Sequence, residues 1–206
     1  MMKILTLSPQ KPDSSAIQAA VEVLKRGGVL IYPTDTCYGL GTDARNRRAI
    51  QRLLALKDRE TGKKFSVIAQ DLEHIERLAQ LSDYQRETLK RYLPGSYTFI
   101  LLNADFGISP TNTIGIRIPD YPITQVISQT FHDAYITTSA NLSGQGALYS
   151  LEDIKKHFLH VVPQESQPDL ILNAGALPQV PSSTVVDLTT TPPTLIRQGN
   201  AHFTPI

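Results

Sequence analysis

Apolar residues near the start of the chain recur at helical spacing. In the segment "DSSAIQAAVEVLKRGG", they follow a three-to-four-residue period from Ile17 to Leu24, which is typical of a helix with one buried face. Asp13 or Ser14 can cap its first turn, and Gly27 suits the left-handed residue that ends such a helix. The pattern therefore predicts a first helix between these signals.

The next segment changes from helical spacing to a continuous apolar run. "GVLIYP" predicts a buried strand that ends at Pro33, and "NRRAIQRLLALK" predicts a second helix with Ile50, Leu53 and Leu54 facing inward. Between them lies "TDTCYGLG", which is rich in hydroxyl groups and glycine. We expect this stretch to be a loop with a function beyond connecting the two elements.

Further strands and helices follow in mixed rather than alternating order. The predicted strands are "FSVIA", "YTFILL", "IGIRIP", "AYITTSA", "DLILNAG", "STVVDLT" and "TLIRQG", and the predicted helices are "LSDYQRETLKRYL", "PITQVISQTF" and "LEDIKKHF". This order favours one α/β domain over residues 1–206, with a twisted mixed sheet and helices packed on it.

Composition narrows the class of protein. The chain has 206 residues, 41% of them hydrophobic, and 20 basic against 19 acidic residues give a net charge of +1. This balance argues against disorder and against a uniformly basic nucleic-acid-coating protein. A single cysteine excludes an internal disulfide, and neither a signal peptide nor a membrane-spanning run is present, so we expect a soluble cytoplasmic protein.

Several familiar motifs are only partly matched. "GLGTDA" imitates a dinucleotide-binding fingerprint, but five residues separate Pro33 from its first glycine, and "RETGKKF" lacks the spacing of a P-loop. His157 and His160 have no third ligand nearby, so no metal site is predicted. Cys37 has no neighbouring base, and we interpret it as a small buried residue rather than a nucleophile.

Two short polar patterns are better candidates for binding. Lys57 and Arg59 stand two residues apart in "LKDR", where extended backbone would point both cations the same way, although this segment taken alone favours a solvated helix end. Ser139 and Asn141 have the same spacing in "TTSANLSG", where a simple turn cap is the alternative. Together with arginines in "GIRIP" and "LIRQG", they predict a concave site for a phosphorylated ligand.

These segments, in their order along the chain, resemble the YrdC/YciO family. The resemblance is carried by "YPTDTCYGLG", "KDR", "PGSYTFIL", "IGIRIP", "SANLSG", "SSTVVDL" and "IRQG", and it extends from about residue 16 to 200. The best-known members are threonylcarbamoyl-AMP synthases. The resemblance implies an open sheet with a large concave cavity, in which the PTDT loop helps to build a threonine pocket.

The resemblance also implies a reaction and a set of binding residues. The reaction joins L-threonine, bicarbonate and ATP into L-threonylcarbamoyl-AMP and pyrophosphate, with Mg²⁺ bound to the ATP, for transfer to tRNA by a separate transferase complex. Lys57 and Arg59 would be catalytic by aligning phosphates. The expected threonine-binding residues are Thr34, Arg117, Thr137 and Ser183, and the expected ATP-binding residues are Lys57, Arg59, Thr113, Ser139, Asn141 and Arg197.

Some residues depart from the synthase pattern and leave alternatives open. Lys64 stands where the family often has proline, Ile68 lies near the position of a histidine, and Tyr121 replaces the histidine of a "PxHP" segment. "FSVIAQDL" and "PGSYTFIL" lean toward the YciO branch, whereas the intact KxR and SAN patterns lean toward the synthases. The chain therefore has two alternatives. One is a YciO-like enzyme that acts on a related acyl-adenylate or nucleotide, and the other is an RNA-binding module for tRNA or double-stranded RNA.

Overall fold

Eleven strands form one sheet in the computed structural model, which describes residues 2–57, 65–109, 111–158 and 167–206. The spatial order is β1-β9-β2-β3-β8-β4-β7-β6-β10-β11, and β5 pairs with β6. The strands are β1 Lys3–Thr6, β2 Leu30–Pro33, β3 Tyr38–Asp43, β4 Ser66–Ile68, β5 Ala79–Gln80, β6 Tyr97–Asn103, β7 Thr113–Arg117, β8 Tyr135–Ser139, β9 Leu170–Asn173, β10 Thr184–Asp187 and β11 Thr194–Arg197.

The sheet is mixed, as the order of the predicted elements indicated. Strand β9 is parallel to β1 and β2, β4 is parallel to β7, and β6 is parallel to β10, whereas the remaining pairs are antiparallel. Strand β11 forms one edge, where it pairs with β10 and all four of its residues are exposed. The predicted α/β fold class is confirmed.

Six helices pack on the described sheet. They are α1 Ser14–Lys25, α2 Arg47–Leu56, α3 Leu72–Leu78, α4 Asp83–Tyr92, α5 Pro122–Phe131 and α6 Leu151–Phe158. Asp13 caps α1 through its carboxylate, and Gly27 follows its end with a φ of 73°, so both predicted end signals are confirmed. No helix in the described ranges is long and apolar enough to cross a bilayer.

The prediction of a loop throughout "TDTCYGLG" is wrong. Residues 34–37 form a short turn, and Tyr38–Asp43 continue as β3, a central strand between β2 and β8. Glycine is depleted in strands, so Gly39 and Gly41 concealed this element. Strands β1 and β5 and helix α3 were also not predicted.

Strand side chains divide the sheet into two chemically different faces. In β7, Ile114 and Ile116 are buried, and the alternating residues Thr113, Gly115 and Arg117 are half-buried. The buried residues belong to a core that packs against one face of the sheet from β9 to β10 and includes Ile31, Leu40, Phe99, Leu101, Ile136 and Val186.

The opposite face is covered over only part of its width. Helices α1 and α5 pack there on Leu30, Tyr32, Ile68 and Tyr135. Two residues further along β4 and β8, the pair Ile68 and Tyr135 gives way to the pair Ser66 and Thr137. Side chains two residues apart in a strand lie on the same face, so this part of the face is polar. The uncovered part of this face is the floor of the cavity described below.

The burial of His74 predicts that the folded protein loses stability in acid. It is buried in α3, its Nδ1 accepts a hydrogen bond from Gln70 N at 3.3 Å, and burial and then Arg77 lower its pKa from 6.5. The unfolded chain binds this proton more tightly, so stability should fall as the pH drops below about 6.5. Urea unfolding at pH 5 and 7 should show a smaller pH dependence for His74→Asn than for wild type.

Replacing the exposed His202 by Asn provides the control, because no buried imidazole is lost there. An unchanged pH dependence in His74→Asn would contradict this role of His74.

Candidate functional site

A cavity of about 390 Å³ lies on the uncovered part of the sheet. Nine of its sixteen described lining residues carry hydroxyl groups, and its two charged lining residues are both arginines, so the cavity suits a polar anion. The lining consists of Thr36, Cys37, Phe65, Ser66, Thr98, Ile100, Thr113, Gly115, Arg117, Thr137, Thr138, Ser139, Ser182, Ser183, Val185 and Arg197.

Most of the predicted binding residues lie together in this cavity. Strands and loops that are far apart in sequence supply Thr113, Arg117, Thr137, Ser139, Ser183 and Arg197. Thr34, Lys57 and Asn141 are buried beside it and do not belong to its lining. Arg59 lies outside the described residues, so its predicted role in catalysis and ATP binding stays a prediction.

Thr34 shapes the turn that enters the cavity. Its hydroxyl donates to the Cys37 carbonyl at 2.8 Å and accepts from the backbone N–H groups of Thr36 and Cys37 at 3.2 and 3.3 Å. This places Thr36 and Cys37 on the cavity wall. Burial raises the pKa of the Cys37 thiol, and Cys37 is 8% exposed, so its interpretation as a small buried residue is confirmed.

The two glycines of β3 make room for the ring of Tyr32. Gly39 pairs with Tyr32 on β2, and Gly41 pairs with Thr137 on β8. A Cβ at Gly39 would lie 3.2 Å from Tyr32 Cζ, and one at Gly41 would lie 2.9 Å from Tyr32 Cε1. The ring therefore lies across β3, and its hydroxyl donates to Thr137 Oγ1 at 2.6 Å.

This contact fixes Thr137 at the floor of the cavity. Burial raises the pKa of Tyr32, so the phenol remains a proton donor at neutral pH. Its ring also meets that of Tyr135 edge-on, with 5.5 Å between centroids. The "GLG" pattern is thus a packing requirement of Tyr32 rather than a phosphate-binding turn.

Arg117 is held by a carboxylate that sequence reasoning did not single out. Asp35 Oδ1 accepts from Arg117 Nη2 at 2.8 Å, and Asp35 Oδ2 accepts from Ser96 Oγ at 2.9 Å. The side chains of Arg117 and Asp35 are 11% and 6% exposed. Arg117 Nε is buried and has no hydrogen-bond partner in the described chain, which favours completion of the site by a ligand or water.

Arg197 reaches the cavity from the edge strand β11. Its Nε and Nη2 donate to the Ser183 carbonyl at 3.1 and 2.8 Å, and the Ser183 and Thr98 hydroxyls lie 2.8 Å apart. Burial lowers the pKa of Arg197, and repulsion from Arg117 lowers it further. An anion bound between the two guanidinium groups would relieve this repulsion.

Lys57 joins the two polar patterns that the sequence presents separately. Its ammonium group donates to the carbonyl oxygens of Ser139 and Asn141 at 2.6 and 2.8 Å, and its own carbonyl accepts from Ser143 N at 3.0 Å. The Ser139 hydroxyl in turn donates to Asn141 Oδ1. Lys57 therefore fixes the loop that presents Ser139 to the cavity.

Sequence reasoning missed residues that act through others. Asp35 and Ser96 stand inside the quoted segments "YPTDTCYGLG" and "PGSYTFIL", but Ser96 is 61 positions and Arg117 is 82 positions from their shared partner Asp35, so spacing could not connect them. Tyr32 was read as part of a buried strand, and nothing local indicates its contact with Thr137. No group of three or more His, Cys, Asp or Glu side chains suited to a metal occurs in the described ranges, and His160 lies outside them.

The fold is that of a YrdC-like protein, and the cavity on its sheet is lined by hydroxyl groups and two arginines. The profile of the Sua5/YciO/YrdC family, described as telomere recombination, matches residues 22–199, and the chain belongs to this family. Over its full length it is 31% identical to the YciO protein of Escherichia coli K12, of which it covers 99%. The E. coli YciO crystal structure superimposes with a TM-score of 0.88 and 30% identity, covering 100% of this chain and 99% of that one.

Similarity to synthases is strong over a shorter stretch. The threonylcarbamoyl-AMP synthase of Chromobacterium violaceum is 40% identical over 146 residues, or 68% of this chain and 75% of the relative. The crystal structure of P. abyssi Sua5 complexed with L-threonine gives a TM-score of 0.85 at 26% identity over 95% of this chain. The chain spans 57% of that Sua5 chain.

Replacing Gly41 by Ala tests the space reserved for Tyr32. The new methyl group would lie 2.9 Å from both Tyr32 Cε1 and the Ile136 carbonyl, so the ring must move away from Thr137. We expect a loss of about 1 to 3 kcal/mol in the free energy of unfolding, measured in urea. Gly146→Ala is the control, because nothing lies within 4 Å of its added Cβ, and equal losses in both variants would refute the packing argument.

Lys57→Met tests the connection between helix α2 and the Ser139 loop. The change keeps an apolar stem but leaves two inward-facing carbonyls without this donor, which should cost about 1 to 3 kcal/mol. Limited proteolysis should then cut residues 139–146 sooner. The exposed Lys155→Met should change stability by less than about 0.5 kcal/mol, and a loop equally protected in both variants would contradict this role.

Proposed function

We propose that the protein is an L-threonylcarbamoyladenylate synthase, a nucleotidyltransferase that uses L-threonine, bicarbonate and ATP. The observation that carries the proposal is the pair Arg117 and Arg197, which enter one hydroxyl-lined cavity close enough to repel each other. Two anionic substrates that must react with one another require separate cations in one cavity.

The two arginines lie in different surroundings, which suits different anions. Arg117 is paired with Asp35 and almost buried, near Thr137, and this arrangement suits a small amino-acid carboxylate. Arg197 lies at the exposed edge strand beside Ser182 and Ser183, where a longer phosphate chain can extend toward solvent. We assign Thr34, Thr137 and Ser183 to the threonine side, with Ser183 at the boundary because its hydroxyl accepts from Arg197 at 3.3 Å. We assign Thr113, Ser139, Asn141, Lys57 and Arg59 to the nucleotide side.

The assigned chemistry needs alignment rather than a protein nucleophile. The amine of threonine and bicarbonate form a carbamate with loss of water, and a carbamate oxygen then attacks the α-phosphorus of ATP. The P–O bond to pyrophosphate breaks, so the products are threonylcarbamoyl-AMP and pyrophosphate. Fixed cations stabilise the charge of the departing pyrophosphate. This chemistry does not use a protein nucleophile, which agrees with Cys37 being buried and its thiol pKa being raised.

Mg²⁺ fits this cavity as a companion of ATP. The described lining offers hydroxyl groups and no carboxylate, so phosphate oxygens and water would supply most ligands of the ion. Its contribution is neutralisation of phosphate charge. Within the protein, Ser139 on the loop fixed by Lys57 would orient the nucleotide.

The relatives support the proposal in two ways. A relative that is 40% identical over 146 residues is named threonylcarbamoyl-AMP synthase, and a Sua5 structure with the same fold contains L-threonine. The match to YciO over 99% of that protein favours a second candidate, an enzyme of a YciO branch that acts on a related acyl-adenylate or nucleotide. The product of the synthase would be consumed by a separate tRNA-modifying transferase complex.

Reconstitution separates these candidates. The purified protein, incubated with ATP, Mg²⁺, bicarbonate and labelled L-threonine, should release pyrophosphate and form a threonylcarbamoyl adenylate, and each omission should abolish both products. Pyrophosphate release that does not depend on threonine would favour the second candidate. No product, combined with tight tRNA binding at physiological salt, would favour an RNA-binding module, whose affinity should fall steeply with added salt.

Two substitutions test whether the two halves of the cavity bind different substrates. We expect Arg117→Ala to weaken L-threonine binding about ten- to a hundred-fold and to leave ATP binding nearly unchanged, and Arg197→Ala to do the reverse, because each removes one charge-assisted contact. Calorimetry with each ligand measures this. Arg48→Ala, which removes an exposed charge from α2, is the control, and equal loss of both ligands in either cavity variant would contradict the assignment.

A further inference from the structure

The cation of the amino-acid half, Arg117, is paired with an anion, Asp35, which is buried beside the cavity and is not one of its described lining residues. Asp35 Oδ1 lies 2.8 Å from Arg117 Nη2, and its second oxygen is held by the Ser96 hydroxyl at 2.9 Å. Both members of the ion pair are nearly buried, with 6% and 11% of their side chains exposed. Any carboxylate that binds Arg117 therefore comes under the field of Asp35 with little screening by water.

This ion pair affects two kinds of ligand differently. A simple carboxylate is attracted by Arg117 but repelled by Asp35, so much of the attraction is cancelled. An α-amino acid carries an ammonium group two bonds from its carboxylate, and the Asp35 charge attracts that group. The alternating charges of the pair and of a zwitterion are thus complementary.

Arg197 does not provide the same discrimination. Its guanidinium donates to the Ser183 carbonyl and hydroxyl, and no described ion pair gives it a carboxylate partner. Its half of the cavity is therefore cationic, whereas the Arg117 half is nearly neutral overall. Only the neutral half can prefer a ligand that carries both charges.

We propose that Asp35 is a specificity-determining residue that selects a zwitterionic α-amino acid over the corresponding acid without an amine. The inference rests on the proposed function, because it concerns the amino-acid half of the same site. Asp35 acts through its charge and through the orientation of Arg117, and Ser96 holds the carboxylate in place.

The test compares two ligands that differ in one group. Calorimetry with L-threonine and with 2,3-dihydroxybutanoate, in which a hydroxyl replaces the amine, gives an affinity ratio for each variant. Asp35→Asn keeps the size of the side chain and removes its charge. We expect the ratio of threonine to analogue affinity to fall about ten-fold in this variant, because threonine loses an attraction and the analogue loses a repulsion.

Two further variants serve as controls. Asp105→Asn removes a carboxylate from an ion pair with Arg45, which is not a lining residue of the cavity, and should leave the ratio unchanged. Ser96→Ala keeps the Asp35 charge and should retain most of the preference for threonine. Unfolding curves of all variants show whether each one is folded before binding is compared.

The outcomes distinguish this inference from the proposed function. Equal loss of both ligands in Asp35→Asn, or no change in their ratio, would show that Asp35 is only structural and would overturn the inference while threonine binding stands. Wild-type protein alone also provides a test, since equal affinity for threonine and the analogue would overturn it without any variant. Failure of the wild type to bind threonine would overturn the proposed function, and this inference with it.

Discussion

The fold and the candidate site both depend on the alternation of side chains between the two faces of the sheet, which are covered unequally. One face packs on a hydrophobic core, and the other is covered by α1 and α5 where its side chains are apolar. Where Ser66, Gly115 and Thr137 replace large apolar groups, none of the described helices covers the sheet and a cavity remains. The site is therefore a consequence of binary patterning, since the same period of two that buries Ile116 in the core places Arg117 on the face with the cavity.

Charges at this cavity are held in place by contacts between residues far apart in sequence. Asp35 precedes β3 and Arg117 ends β7, yet the two form a nearly buried ion pair. Lys57 ends α2 and holds the loop after β8. Arg117 and the Ser139 loop are thus each supported by a residue from another element, which reduces the ordering required when a ligand binds.

The mixed sheet, most strand positions and the predicted helices could be read from the sequence, because periodicity and capping are local signals. Strand β3 could not, since Gly39 and Gly41 resemble a turn until the Tyr32 ring is placed over them. Among candidate site residues, Arg117, Arg197 and Ser139 lie in the cavity as the motifs suggested. Lys57 was expected to face phosphates, and its described contacts are with loop carbonyls, an arrangement that depends on folding and not on spacing.

The position of Arg197 on an edge strand also has a dynamic consequence. Strand β11 is held by a single neighbour, β10, through a pairing with a register shift, and all four of its residues are exposed. Such a segment opens locally at a much lower free energy than the central strands, so its backbone amides should exchange hydrogen with solvent early. A ligand that bridges Arg197 to the inner strands would then order this edge and would give up part of its affinity to do so, and the edge of the sheet would behave as an adjustable wall around a fixed floor.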